Sequence, residues 1–378
     1  MRFVRIMLLS GYVALCALAF VEPRTPRVFW TMLMPAIPLA VIVIGFAGWR
    51  RLCPLAFIAA LGARFSGKPK LPRFVRRRPF TLSFAMLYFA LAIRLIATNG
   101  DGVKLGTFLV LLATLAIVVN AIGTGKSWCN YLCPVGVVER IYTDPGPIGL
   151  VDGSSSCTQC SGCKKTCPDI DPERAYRSGL ERDRDRQFAF YAFPGLVLSF
   201  YAYYWLHEGE WAAFFDGRWT SRGPSLTASG LFFAPSVPIG LAAPFVLAAG
   251  AAASWLLFCW LERLWSRRRR EIPHAIVRHQ VLALSSFAAL NLFYFFAGAP
   301  ALMRLPGASA LVAFVVPLFA TLVLLRSAIR SLREANRRQK ETVTDKSLKI
   351  QDPDRWPASC KAPSDVGGRR RVALVVLH

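Results

Sequence analysis

The chain runs to 378 residues, 54% of them hydrophobic, and its 46 Lys and Arg against 22 Asp and Glu give a formal net charge of +24. A mean hydropathy of +0.40 excludes a chain built of ordinary soluble domains, because the apolar residues fall in blocks of about 18–25, long enough to cross a bilayer. The basic residues flank those blocks instead of forming one solvated face, which excludes nucleic-acid binding as the reason for the charge.

Behind Arg2 and Arg5, residues 3–21 form the first apolar block. Ala17-Leu18-Ala19 resembles a signal cleavage site, but a second block follows after a handful of residues, so an uncleaved helix is expected. Leu15 precedes Cys16 where a lipobox needs a small residue, so no lipid anchor is expected there. The second block covers about 28–48, and others follow at about 80–98, 105–123, 187–206, 236–260, 280–298 and 307–325. They predict an all-α polytopic membrane protein with about eight transmembrane helices. After the second block, Trp49-Arg50-Arg51-Leu52-Cys53-Pro54 leads into an apolar run, 55–65, that is too short to span. It is expected as an interfacial helix, with Pro54 in its first turn, where the missing N–H costs nothing.

Lys and Arg sort the loops. The segments 22–27, 99–104, 207–235 and 299–306 hold 6 of them, whereas the N-terminus, 49–79, 124–186, 261–279 and everything from 326 onward hold 39. Both termini and the polar segment 124–186 are therefore expected on the cytoplasmic side of an inner membrane. Arg94, near a helix end, is expected to snorkel to the interface. The expected divisions are 1–123 with four spans and the short helix near 53–65, a Cys-rich segment at 124–186, four further spans in 187–330, and a disordered basic tail at 331–378.

Six of the ten cysteines lie between Cys129 and Pro168. Cys157-x2-Cys160-x2-Cys163-x3-Cys167-Pro168 has the spacing of a bacterial ferredoxin, in which closely spaced thiolates wrap a cubane cluster. A zinc site would ordinarily use two separated cysteine pairs, and cytoplasmic thiols do not persist as disulfides. One [4Fe-4S] cluster in a small cytoplasmic ferredoxin-like insert is the expectation. Upstream, Cys129-x3-Cys133-Pro134 is the back half of a second such motif. Leu132-Cys133-Pro134 repeats Leu52-Cys53-Pro54 at a shift of 80 residues, and the same shift carries the first two apolar blocks onto the third and fourth. A duplicated pair of helices ending in Leu-Cys-Pro is expected.

Two ligand sets fit the spacing. In two-cluster ferredoxins the cysteine before proline serves the other cluster. Cys157, Cys160 and Cys163 would then take Cys133 as their fourth ligand, leaving Cys167, Cys129 and Cys53 for a second iron–sulfur cluster. Alternatively Cys157, Cys160, Cys163 and Cys167 hold one cluster among themselves. Lys164 and Lys165, between two ligands, would favour the reduced cluster or an acidic partner.

A Trp-Cys-x3-Cys-Pro at a transmembrane helix end followed by a ferredoxin run resembles the NapH/NosR-type membrane ferredoxins and the related CcoG (RdxA/FixG) proteins, over about residues 28–175. That resemblance implies an inner-membrane protein moving electrons between quinol or cytoplasmic donors and respiratory or metal-centre partners, with Cys129, Cys133, Cys157, Cys160, Cys163 and Cys167 as cluster ligands. The chain departs from the pattern in two places: Trp49 stands where the first motif's leading cysteine would be, and a single ferredoxin run is present.

Other signals are weaker. Gly123-Thr124-Gly125-Lys126-Ser127 lacks the leading glycine and the strand of a phosphate loop. Of His207, His274, His279 and His378, His207 and His279 are expected near opposite membrane faces, whereas paired haem ligands would share one depth, and no C-x-x-C-H occurs. Tyr201, Tyr203, Tyr204 and Trp205 read as an interfacial aromatic belt. Asn291, Ser285 and Ser286 read as interhelical hydrogen-bonding residues, the commoner use of such side chains than a quinone pocket.

The expected function is an electron-transfer component of the membrane, rather than a stand-alone enzyme, with a redox protein or quinone as partner. An assembly or maturation factor for a respiratory metalloenzyme and a redox-gated transporter or sensor are the alternatives, the last weakened by the scarcity of intramembrane charge. On this reading Cys160→Ala abolishes the [4Fe-4S] EPR signal while membrane insertion persists, and Cys360→Ala changes neither.

Overall fold

The computed structural model describes residues 2–65, 71–123, 126–144, 176, 180, 183–217, 219, 226–269 and 272–302. The ferredoxin run 157–167, the eighth apolar block and the tail expected at 331–378 lie outside the described residues. Helix dominates: α1 (Arg2–Val21), α2 (Thr25–Val28), α3 (Met34–Leu52), α4 (Pro54–Gly62), α5 (Arg73–Arg77), α6 (Pro79–Ile93), α7 (Gly102–Ile122), α8 (Pro134–Thr143), α9 (Arg184–Glu208), α10 (Ala212–Phe215), α11 (Ile239–Arg268) and α12 (His274–Leu302).

Among the described residues six helical stretches are long and apolar enough to cross a membrane: Phe3–Val21, Thr25–Ile42, Pro79–Thr98, Gly102–Ile122, Ile239–Arg268 and His274–Ala297. They correspond to six of the predicted blocks and make this a multi-pass membrane protein. The predicted fifth block forms α9, which is 25 residues long and falls outside that set. Its composition explains the difference. Arg184 to Gln187 open it, tyrosines punctuate it, and it is buried along most of its length, so its surroundings are protein more than lipid.

α9 packs against α11 and α12, and the approach to α11 is made by small residues. A Cβ on Gly195 would sit 2.0 Å from the Gly250 carbonyl oxygen, and one on Gly250 would sit 2.4 Å from Ser199 Cβ. Where lipid gives no hydrophobic drive between helices, such close backbone approach supplies the van der Waals contact instead. At its C-terminal end α9 stops at Gly209, whose φ of 79° takes the left-handed cap that favours glycine. Gly45, at φ 78° and ψ 163°, kinks α3 in an extended conformation open essentially to glycine alone.

The segment after α10 holds a feature the sequence reading lacked, an antiparallel hairpin of β1 (Ser229–Leu231) and β2 (Ala234–Pro238). Ser229 lies opposite Pro238 and Leu231 opposite Ala234. Its Gly230 carbonyl accepts a hydrogen bond from the Tyr203 hydroxyl at 2.8 Å, which ties the hairpin to α9.

Three readings of intramembrane polar residues are corrected. Arg94 is buried and does not snorkel. Its guanidinium carbon lies 4.3 Å from the Trp30 ring centroid, 4.7 Å from Phe200 and 5.5 Å from Trp219, and Nε donates to Asn99 Oδ1 at 3.3 Å. Aromatic faces attract a desolvated cation, and three of them stand in for water here. Tyr201, Tyr203 and Tyr204 are core residues instead of a belt, while Trp205 is exposed. Ser285 and Ser286 bond back to the Leu282 carbonyl of their own helix rather than across helices; Asn291 donates to the Phe287 carbonyl of the same helix at 2.8 Å.

The crossing of α9 and α11 predicts an asymmetric response to added side chains. Gly195→Val, which forces backbone apart, lowers stability in detergent by at least ~1–3 kcal/mol. Gly11→Ala, where a Cβ meets nothing within 4 Å, is neutral or stabilising by up to about 1 kcal/mol. Thermal unfolding of the purified variants checks both.

Candidate metal centre

Both Leu-Cys-Pro tripeptides end one helix and start another. Cys53 has φ −56° and ψ 121° and Cys133 has φ −62° and ψ 120°, so one residue leaves the helical region and the following proline restarts it. Proline dictates this, because it disfavours the helical conformation in the residue before it and has no N–H to leave unpaired at a new helix start. The cysteine amide still bonds back, Cys53 to the Trp49 carbonyl at 2.8 Å and Cys133 to that of Trp128 at 2.9 Å. The longer reach in the second case belongs to the π turn Trp128–Leu132, which supplies the additional cysteine.

The two halves meet reciprocally. α4, which follows Cys53, packs on α7, and α8, which follows Cys133, packs on α3. Residues equivalent under the shift of 80 touch: Arg50 Nη1 donates to Asn130 Oδ1 at 2.7 Å. A contact between equivalent residues is what a local two-fold relation produces at its axis.

Arg50 also donates from Nη2 to the Cys129 carbonyl at 3.0 Å and from Nε to Glu139 Oε2 at 3.2 Å. The Arg50 and Glu139 side chains are only 1% and 4% exposed. Asn120 braces the same turn from α7, donating to the Ala59 carbonyl at 2.9 Å and accepting from the Trp128 amide at 2.7 Å. Gly136 lets α8 come close, since a Cβ there would lie 2.8 Å from the Cys129 carbonyl oxygen and 3.3 Å from Cys133 Cβ.

The structure places Cys53, Cys129 and Cys133 within electrostatic reach of one another, and Cys53 and Cys133 within reach of Glu139. Burial is the main reason the Cys53 thiol is pushed up to about 12, with the Glu139 carboxylate and Cys129 adding to it. Cys133 is raised well above the ordinary thiol value by burial first, then by Cys129, Glu139 and Cys53. Burial likewise raises Glu139, and Arg50 opposes that. Without a cation to take up their charge, these thiols keep their protons. A metal bound here must displace them, so binding releases protons. Among the described residues no three His, Cys, Asp or Glu side chains are gathered closely enough to hold a metal ion as they stand.

The residues nonetheless fit an iron–sulfur group in kind. Their donors are soft thiols, the ligand type such clusters take. Cys129 and Cys133 pack with Trp128, Ala59, Ala116 and Val119 in a buried cluster separate from the main core. In it the Trp128 indole N–H is buried with no hydrogen-bond partner among the described residues. An orphan donor of this sort calls for an acceptor, and cluster or ligand sulfur would be one. Beside Cys129 a cleft of about 10 Å³, lined by Pro79, Phe80, Ser83, Asn130, Gly136, Val137 and Arg140, has room for about one water molecule.

The other expected ligands, Cys157, Cys160, Cys163 and Cys167, lie outside the described residues. Arg50, Glu139 and Asn120, to which the sequence assigns no site role, and Trp128, the tryptophan of the Trp-Cys-x3-Cys-Pro motif, lie around the thiol-bearing turns. Arg50 had one visible signal, its position 80 residues before Asn130; Glu139 had none, because its partner is 89 residues away.

A family model described as a 4Fe-4S binding domain matches residues 105–146. The matched stretch contains most of α7, the π turn, Cys129, Cys133 and α8, and supports an iron–sulfur cluster in this chain. Over it the chain is similar to membrane-type 4Fe-4S ferredoxins. A putative electron transport protein, YccM of Escherichia coli (strain K12), is 28% identical over 58 residues, 15% of this chain and 16% of that protein. The chain thus matches about a sixth of that relative's length. No solved structure matches.

Asn120 holds two backbone segments at once, so Asn120→Leu leaves a buried N–H and a buried carbonyl unpaired and costs ~1–3 kcal/mol. The Trp128–Leu132 turn loosens with it. Maleimide labelling of Cys129 in membranes rises in that variant and stays low in the wild type.

Proposed function

We propose that the chain is an inner-membrane electron carrier with two iron–sulfur centres on its cytoplasmic side. Cys157, Cys160, Cys163 and Cys167 hold a [4Fe-4S] cluster in the segment 124–186. Cys53, Cys129 and Cys133 hold the second centre where the two Leu-Cys-Pro turns meet, with one ligand position left for a residue of this chain or a partner. The observation that carries this reading is that the half-buried Cys53 and the buried Cys129 and Cys133 lie at matching turns within electrostatic reach of one another, within and beside a stretch similar to a 4Fe-4S binding domain.

Each part of the chain has a physical task in this reading. The spans hold the turns at the lipid boundary, and the following prolines set the backbone at Cys53 and Cys133. Burial keeps bulk water from the thiols, and Arg50 with Asn120 fixes the turn that carries Cys129. When bound, an iron–sulfur cluster accepts and returns one electron at a time, while the protein supplies ligation, burial and local charge. Of the two ligand sets that fit the spacing, this favours a self-contained ferredoxin run, because Cys133 is grouped with Cys129 and Cys53.

Sidedness follows the distribution of Lys and Arg, 39 on the side of the cysteines against 6 on the other. The donor is a cytoplasmic protein or quinol, and the acceptor a membrane or extracytoplasmic redox protein, as the resemblance to the NapH/NosR/CcoG type implies. Eight spans are part of this reading, with α9 as the protein-enclosed fifth and 307–325 as the eighth.

Iron and sulfide analysis with low-temperature EPR on protein purified without oxygen tests it. Two signals are expected, one lost in Cys160→Ala and the other lost in Cys53→Ala and Cys133→Ala. If Cys133→Ala leaves the spectrum untouched while Cys167→Ala destroys it entirely, there is a single cluster on the ferredoxin run and the second centre does not exist.

A further inference from the structure

The buried ion pair between Arg50 and Glu139 is hard to explain as a stabilising device. Each ion loses several kcal/mol of hydration on burial, and apolar residues of similar volume commonly replace such a pair with no loss of stability. Its placement is more informative. Arg50 reaches it from the end of α3, three residues before Cys53, and Glu139 from α8, six residues after Cys133. The pair thus joins the helix before one cysteine turn to the helix after the other, and Arg50 also holds the backbone carbonyl of Cys129.

Both charges lie where water screens little, so each acts strongly on anything nearby that changes charge. Glu139 already acts on Cys53 and Cys133, disfavouring negative charge on both. Among the described residues, other charged groups that act on the pair or on which it acts include Arg140, beside Glu139, and Asp144, on which Arg50 acts.

An iron–sulfur centre gains one negative charge on reduction, so a nearby cation favours the reduced form and a nearby anion the oxidised form. We propose that Arg50 and Glu139 are opposed positioning charges that set the reduction potential of the centre held by Cys53, Cys129 and Cys133, Arg50 raising it and Glu139 lowering it. This rests on the reading of those thiols as ligands. It adds that the potential is written in two residues that touch no iron, and that their effects have opposite signs.

Redox titration of the anaerobic full-length protein, followed by EPR with iron measured per chain, tests the pair. The variants are Arg50→Gln, Glu139→Gln, the two together, and Glu139→Asp. Iron content is kept, the midpoint moves negative in Arg50→Gln and positive in Glu139→Gln, and the double variant returns close to the wild type. Glu139→Asp keeps the ion pair with the carboxylate drawn back, so it moves positive by less; it carries the test if either single neutral variant fails to accumulate. The double variant leaves no unpaired buried charge and so separates potential from folding. A purely structural pair would lose iron in the single variants or move both midpoints the same way, and either result overturns the inference, as does no shift in Glu139→Asp with iron retained. If Cys53→Ala and Cys129→Ala leave the titrating signal and its iron unchanged, the ligand reading has failed and the pair's effect must be read on another centre.

Discussion

One guanidinium holds the two halves of this protein's cysteine-bearing end together. Arg50 has no water to turn to, and its donors go instead to Glu139, Asn130 and the Cys129 carbonyl. A buried cation must satisfy its hydrogen bonds or cost several kcal/mol, so the partners are constrained to come to it. That requirement fixes α3 against α8 and sets the Trp128–Leu132 turn in place. Cys53 and Cys133 themselves are set by the prolines that follow them, which fix the backbone at each turn.

The same rule, that polar groups inside lipid find partners within the protein, organises the rest of the bundle. Arg94 is enclosed by Trp30, Phe200 and Trp219 and held by Asn99, which bonds in turn to Tyr204 at 3.1 Å. Glu262 takes Arg278 Nε at 2.9 Å and the Tyr191 hydroxyl at 2.9 Å. Asp185, near the start of α9, accepts the amides of Phe80 and Thr81 at 2.8 and 3.0 Å and so caps α6 from another helix. Each of these residues is charged, each is wholly or partly buried, and each links segments distant in sequence. Helices without a hydrophobic drive toward one another are thereby given particular neighbours.

Much of this was legible in the sequence and some was not, for identifiable reasons. Apolar runs of sufficient length located six helices, because length and hydropathy are properties of one segment alone. The repeated Leu-Cys-Pro announced two matching turns, because proline acts on its immediate neighbour. Whatever depended on a partner far along the chain was hidden. Arg94 read as a snorkelling residue because its three aromatic partners come from residues 30, 200 and 219. The tyrosines of α9 read as a belt because composition does not say whether a helix faces lipid or protein. The hairpin at 229–238 was missed because strands of three and five residues carry almost no periodic signal. At the candidate centre the thiols were named from spacing, while Glu139 and Asn120 became visible only through their contacts.

The central claim is that the membrane-proximal thiols bind iron independently of the ferredoxin run. Mössbauer spectroscopy on protein grown with enriched iron, prepared without oxygen and with Cys157, Cys160, Cys163 and Cys167 all replaced by Ala, examines it most directly. Sulfur-coordinated iron remaining in that variant, and disappearing when Cys133→Ala is added, is the predicted result. A spectrum empty of sulfur-coordinated iron in correctly inserted protein would contradict it.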